Sequence, residues 1–344
     1  MHKKNFKNII LFLFAAIISL TLAEVFLRVA HPYNDTNPVP IIGHDKLPYV
    51  MVPNTETQTI DGVFISINSL GLRDVDFTSE KIAPDHTFLV VGDSTTYGYG
   101  VDVNDTFVER LEKAITENDS ARISFINAGH SGFNLIDYYN LLNELKNKLD
   151  FDDIIIGLMG NDYTNSSLQY KFIDDIGVSK GSVWDRHNVP SQFIKVLRNS
   201  AIYLTLGNAI KGFRNKNTTF NQSNRVDNEL LLKTINNVLQ KIKKFADINE
   251  SQLYFIYLPT KTELMARQAH YPQFLEAIEK FAGQFEKTHF LNLASRKRVL
   301  ESINEIYFKN DWVHPNGIGH KIYCDEILEF LRETGTNISN SREC

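Results

Sequence analysis

Thr87-Phe88-Leu89-Val90-Val91-Gly92-Asp93-Ser94-Thr95-Thr96-Tyr97-Gly98 reads as a short apolar strand over 87–91 that breaks into a polar turn bounded by glycines. A helix follows from Asn104, with Phe107, Leu111 and Ile115 on one face. The alternation continues downstream. Strand Ile123–Ile126 precedes a helix marked by Leu135, Tyr138, Leu142, Leu145 and Leu149. Strand Ile154–Met159 is a near-continuous apolar run, as expected when both faces of a strand are covered. Leu231, Ile235, Leu239, Ile242 and Phe245 mark a long helix before strand Leu253–Leu258. A helix with Phe274, Ile278 and Phe281, strand Phe290–Leu293, and a last helix with Ile318, Ile322, Ile327 and Leu331 complete the series. This order predicts an α/β fold, a mostly parallel sheet sandwiched between helices. In such sheets ligands sit beyond the carboxyl ends of the strands.

Polar clusters occupy those ends. The first strand runs into Gly92-Asp93-Ser94, the second into Asn127-Ala128-Gly129-His130-Ser131-Gly132-Phe133-Asn134, and the third into Met159-Gly160-Asn161-Asp162. Asn310-Asp311-Trp312-Val313-His314-Pro315-Asn316 stands just ahead of the last helix. A serine at a strand-to-helix turn has an exposed hydroxyl, and nearby helix N–H groups favour developing negative charge. Serine attacks a carbonyl only when a base takes its proton and donors hold the oxyanion. Asp311 and His314, three apart, let the carboxylate bond one imidazole nitrogen while the other faces Ser94. Gly132 offers a backbone N–H, and Asn161 a side-chain amide.

Taken in order, the clusters resemble the four blocks of the SGNH (GDSL-type) hydrolases: G-D-S, a glycine after the second strand, G-x-N-D, and D-x-x-H before the final helix. The likeness spans roughly Thr87 to Leu331, with Thr95 where the family's name-giving leucine often sits. It implies a three-layer α/β/α sandwich on an about five-stranded, flavodoxin-like sheet. It also implies Ser94 as nucleophile, His314 as general base, Asp311 as its orienting carboxylate, and an oxyanion hole from the N–H groups of Ser94 and Gly132 and the Asn161 side chain. No metal or organic cofactor is implied. The run Asn68-Ser69-Leu70-Gly71-Leu72-Arg73-Asp74, with the N-terminal segment, is similar to membrane-anchored bacterial members linked to envelope or exported polysaccharide.

Other assignments compete with these. Gly129-His130-Ser131-Gly132-Phe133 approaches the G-x-S-x-G elbow of α/β-hydrolases, but Phe133 replaces the last glycine, so Ser131 is read as structural. His130 is read as a hydrogen-bonded turn residue and His320 as a helix-surface residue. Asp93 and Asp162 are read as fixing their loops. Tyr97, Tyr99 and Trp312 are read as core aromatics, with an acyl or sugar pocket lining as the alternative. Gly98-x-Gly100 is too little for a dinucleotide loop, and no Walker lysine is present.

Composition bounds the rest. At 344 residues, 43% of them apolar, the chain has room for about two domains, or for one large domain with a stem. A net charge of -5 supplies no basic field for nucleic acid. Cys324 and Cys344 make no disulfide framework; a single bridge between them stays open, with Cys344 at an end where chains often fray. Lys3, Lys4 and Lys7 precede an apolar run from Ile9 to Ala23, broken only by Ser19 and Thr21. That pattern predicts export, with the N-terminus in the cytoplasm and the rest across the membrane. An uncleaved anchor over 1–30 is favoured over a peptide cut after Thr21-Leu22-Ala23, which would release a secreted form. No cysteine follows for a lipid anchor.

Five prolines between His31 and Asn54 predict an extended stem within 31–86, closed by a short strand around 61–68. The catalytic domain is expected over 87–333, with an insertion at 163–225 that overhangs the site and selects the substrate, a disordered connector being the alternative for its second half, and a tail at 334–344. The expected activity is hydrolysis of acyl esters, O-acetyl above all, on an envelope or exported glycan, a lipid or a small ester. The alternatives are an O-acyltransferase moving an acetyl group to a sugar hydroxyl, and a non-catalytic envelope binding protein.

Overall fold

Alternate residues of the first sheet strand face different layers, which is why 87–91 is apolar throughout. Phe88 and Val90 pack into one core cluster, Leu89 and Val91 into another. The computed structural model describes residues 2–30, 39–59, 62–74, 84–116, 122–162, 170–173, 176–179, 228–309, 311–336, 338 and 344. Among these the strands are β1 (Ile41–Ile42), β2 (Val50–Met51), β3 (Thr55–Gln58), β4 (Phe64–Ile67), β5 (His86–Gly92), β6 (Ile123–Gly129), β7 (Asp153–Leu158), β8 (Tyr170–Ile173), β9 (Ile176–Ser179), β10 (Leu253–Tyr257) and β11 (Thr288–Asn292). The α-helices are α1 (His2–Ala30), α2 (Ser94–Tyr97), α3 (Phe107–Thr116), α4 (Leu135–Leu145), α5 (Asn228–Ile248), α6 (Lys261–Ala266), α7 (Pro272–Ala282), α8 (Lys297–Glu301) and α9 (Gly317–Glu333).

The central sheet has the order β11-β10-β7-β5-β6, and every pairing in it is parallel. Numbered by their own sequence, these five strands run 5-4-3-1-2, the flavodoxin-like order whose switch point lies between the first and third strands. Helices α4, α5 and α7 share one core cluster with the sheet, and α3 and α9 share the other. The unit of residues 36–182 and 226–344 is therefore a three-layer α/β/α sandwich. Each fully buried Leu, Ile or Phe contributes about 1.5–3 kcal/mol.

Several expectations need correction. Residues 39–59 and 62–74 do not run as an extended stem: Leu47 and Leu72 join the core beneath α4, and Val39, Met51, Ile65 and Ile67 cluster with Tyr97. Apolar residues between the prolines are what the stem reading overlooked. His320 is not on the helix surface but fully buried, because α9 packs that face against α3. The tail is tied down at Cys344, which is disulfide-bonded to Cys324 of α9. Ile338 is buried in the same layer, and Thr336 meets the Tyr254 hydroxyl at 3.0 Å. The short elements β1–β3, α6 and α8 were not anticipated.

The expected insertion lies outside the described residues except for the antiparallel hairpin β8–β9. Helix α1 belongs to a separate unit from residues 36–182 and 226–344. Its Leu11, Phe12, Phe14, Ile17, Ile18, Leu20, Leu22, Val25 and Phe26 are exposed. Among the described residues no helix is long and apolar enough to cross a membrane.

Candidate active site

Three glycines sit side by side where the sheet ends: Gly92 of β5 is in register with Gly129 of β6 and Gly157 of β7. They leave the floor on which α2 rests. A Cβ on Gly92 would lie 2.0 Å from Thr96 Oγ1, one on Gly157 2.3 Å from the same atom, and one on Gly129 2.3 Å from the Tyr97 backbone nitrogen. Asp93 caps α2, its Oδ1 accepting from Thr95 N–H at 3.0 Å. Ser94 is thereby held at the first position of the helix, directly over the switch point of the sheet.

His314 reaches Ser94 from the far end of the chain. Its Nε2 lies 2.9 Å from Ser94 Oγ, and its Nδ1 lies 2.7 Å from Asp311 Oδ2. Asp311 Oδ1 also accepts from the backbone N–H groups of Val313 and His314, at 2.7 and 3.0 Å. Burial alone would raise the Asp311 carboxyl, but the bonds to His314 and to those two N–H groups outweigh it and leave the group below its ordinary range. With Asp311 ionised, Nδ1 donates to it and Nε2 is left to accept from the Ser94 hydroxyl. Tyr99 lays its ring against the imidazole, with centroids 4.3 Å apart.

The other two clusters reach the same edge. His130 N–H donates to Gly92 O at 2.9 Å, and the Tyr49 hydroxyl to Ser131 O at 2.7 Å, so the turn bearing Gly132 is pinned beside β5. Gly132 has φ +80°, a left-handed conformation that favours glycine, and a Cβ there would meet nothing within 4 Å. Asn161 Nδ2 donates to Asp93 Oδ2 at 3.3 Å, which sets its amide beside the residue preceding Ser94. Asp162 is buried under this turn, accepting from the Tyr138 hydroxyl at 2.9 Å and from Met159 N–H at 2.8 Å. Burial drives both Asp93 and Asp162 upward, and the neighbouring Asp93 and Asp137 carboxylates oppose ionisation of Asp162 further.

The competing residues fall elsewhere. Ser131 Oγ is buried with no hydrogen-bond partner, and no base serves it among the described residues. His130 is enclosed by Phe133 and Tyr49 with Nδ1 on Ala128 O; burial lowers it to about 4. His320 Nδ1 accepts from Phe107 N–H at the start of α3, and burial holds it at about 3. Tyr97 is core, Tyr99 is half-buried, and Trp312 is 54% exposed with Lys261 Nζ 5.5 Å from its ring centre. Arg73 and Asn127, which the sequence offers only as members of longer runs, and Tyr49, which no pattern marks, support the site. Among the described residues no cluster of His, Cys, Asp or Glu is arranged to hold a metal ion.

No family model matches the sequence, and no curated relative does. Similar solved structures include the psychrotrophic esterase EstA from Pseudoalteromonas sp., at 14% identity and a TM-score of 0.42 over 74% of this chain and 100% of that one. A catalytic mutant of Axe2, an acetylxylan esterase from Geobacillus stearothermophilus, has 16% identity and a TM-score of 0.43 over 76% and 100%. The lipase/acylhydrolase from Enterococcus faecalis has 12% identity and a TM-score of 0.44 over 72% and 96%. With identities and scores this low, the reading of the site rests on its own geometry.

Proposed function

We propose that the protein is a serine esterase that cleaves carboxylic esters through an acyl-enzyme. The observation that carries this reading is the Ser94–His314–Asp311 relay, continuous at 2.9 and 2.7 Å between segments 220 residues apart. Ser94 Oγ attacks the ester carbonyl as its proton passes to His314 Nε2. The oxyanion is held by the N–H groups of Ser94 and Gly132 and by the Asn161 amide. His314 then gives the proton to the departing alkoxide, and water, activated by the same imidazole, releases the acid.

The leaving alcohol must lie on the His314 side, near the exposed ring of Trp312 two residues before the base. Flat amphipathic faces beside a hydroxyl suit a sugar ring, so the reading extends to acyl, chiefly O-acetyl, esters of an envelope or exported glycan. A disulfide between Cys324 and Cys344 fits an oxidising compartment. Helix α1 exposes apolar residues on all sides after three lysines, a pattern of membrane-embedded rather than surface helices. We therefore place the catalytic unit outside the cytoplasmic membrane, with the N-terminal segment as an uncleaved anchor. N-terminal sequencing of the membrane-fraction protein should begin at Met1; a start after Ala23, or recovery in the cytosol, would overturn that placement.

Hydrolysis of p-nitrophenyl esters from acetyl to long acyl, by the full chain and by Ser94→Ala side by side, tests the activity. Turnover should fall on the order of 10⁶-fold in the variant. Equal rates in the two proteins would sink the esterase reading. Acetyl transfer to an added glycan, in place of acetate release, would redirect it to an acyltransferase.

A further inference from the structure

The run Asn68–Asp74 has no place in the relay, yet its Asn68, Arg73 and Asp74 are all buried. Asn68 Oδ1 accepts from the backbone N–H groups of Leu70 and Leu72, both at 3.0 Å, and folds the run into a turn. Asp74 Oδ2 accepts from Asn127 N–H at 2.8 Å, and the Asn127 amide donates to Thr96 O within α2 at 3.0 Å. Arg73, with no exposed surface, donates to three backbone carbonyls, those of Tyr97 (2.7 Å), Gly98 and Val101. Its guanidinium also lies 4.6 Å from the centre of the Tyr97 ring.

A fully buried guanidinium with no carboxylate hydrogen-bonded to it among the described residues is costly to fold around. What it supplies is geometry: a rigid planar fork meets several acceptors at fixed angles, which an ammonium on a flexible stem does not. The three carbonyls belong to the last residue of α2 and to the loop after it, so the fork grips Ser94's own helix at its carboxyl end. Between the gripped carbonyls stands Tyr99, whose N–H returns to Ser94 O at 3.0 Å and whose ring lies on His314. One buried cation thus bonds the backbone on either side of Tyr99, and Tyr99 in turn contacts both Ser94 and His314.

We propose that Arg73 is a positioning residue for the Ser94–His314 pair, fixing the 97–101 loop so that Tyr99 packs on His314 while Ser94 stays within reach of Nε2. The proposal rests on the Ser94–His314–Asp311 relay being the hydrolytic one.

Arg73→Lys keeps the charge and loses the fork. In that variant kcat should fall about 10²-fold while KM changes by less than about 2-fold. Tyr99→Leu should show the same split, and the double variant should be no worse than the poorer single, because both changes act through one loop. The His314 Hε1 resonance of the full chain, shifted by the Tyr99 ring current, should move in the same direction in Arg73→Lys and in Tyr99→Leu. Losses that multiply in the double variant, or a kcat unchanged in Arg73→Lys despite a lowered melting temperature, would reduce Arg73 to a structural part. If Arg73→Lys does not fold, an unchanged kcat in Tyr99→Leu overturns the proposal. The resonance is read without any substrate, so an unmoved His314 in Arg73→Lys counts against the coupling even if the parent turns over no ester.

Discussion

The turn that carries Ser94 is held by residues scattered over the chain, whereas the turn that carries Asp311 and His314 is held largely by itself. Around Ser94 the supports are the glycine floor at 92, 129 and 157, the Asn127 amide and the Arg73 fork. Around His314 they are the two N–H groups accepted by Asp311 and the cap of α9, where Asn316 Oδ1 takes the N–H groups of Ile318 and Gly319 at 3.0 and 3.1 Å. Asn316 also donates to the carbonyls of Glu305 and Tyr307, which fastens the second turn to the segment just before it. A nucleophile on a sharp turn needs a shaped seat, and only distant segments can build one. A histidine that must pass a proton between two oxygens needs a fixed ring, which its own neighbours largely supply, with Tyr99 laid against its face.

If this contrast is real, damage to the two turns should differ in kind. Gly129→Ala should have the largest effect. Its methyl group would press on the Tyr97 backbone, which cannot rotate away, so the variant should lose about 3 kcal/mol or more of stability and essentially all turnover. Urea unfolding and ester hydrolysis measured together check this; a stable, active variant would mean that the seat is soft. Asp311→Asn should leave the turn standing, since the amide oxygen can still accept from Val313 and His314. Stability should change by under about 1 kcal/mol while kcat falls about 10⁴-fold, because the imidazole loses its tautomer control. A comparable loss of fold in both variants would erase the distinction.

The smallest effect sharpens the contrast through pH. His130 belongs to the buried scaffold beside the nucleophile turn, with a folded-state value of about 4 against an ordinary 6.5. On acidification the unfolded chain therefore takes the proton first. The stability that neutral His130 supports is full above about pH 6.5 and drains away as the pH falls towards about 4. Between pH 7 and 5 this amounts to about 2 kcal/mol, and His320 acts in the same direction. In His130→Gln the decline in unfolding free energy over that interval should shrink by about that amount. An unchanged slope would show that His130 is solvated in the folded protein.

The same contrast explains what could be read from the chain. Asp311, His314 and Asn316 carry their structure within a few residues, and the strands 86–92, 123–129, 153–158 and 253–257 announce themselves because both faces are covered. The order of the sheet was legible through the family likeness. The supports of Ser94 were not. Arginine is ordinarily a surface residue, and nothing local marks Arg73 as one whose fork closes on carbonyls 24 to 28 residues away. The Cys324–Cys344 bridge was undecidable, since two cysteines carry no pairing pattern of their own. The start of α6 could have been found. Thr260 and Glu263 form a reciprocal capping box, a signature present in the sequence that the apolar periodicity of so short a helix does not reinforce.

The hydrogen bond between His314 and Ser94 also has a meaning in time. It joins residues 220 apart, and chains are synthesised at about 5–20 residues per second. In the relay proposed above, Ser94 therefore leaves the ribosome roughly 10–45 s before His314 exists. On that reading Ser94 is an ordinary alcohol through that interval, and a chain interrupted before residue 314 should be inert towards esters however well its first strands have paired. In the proposed relay, placing the base 220 residues downstream makes synthesis of His314 the event that arms the site.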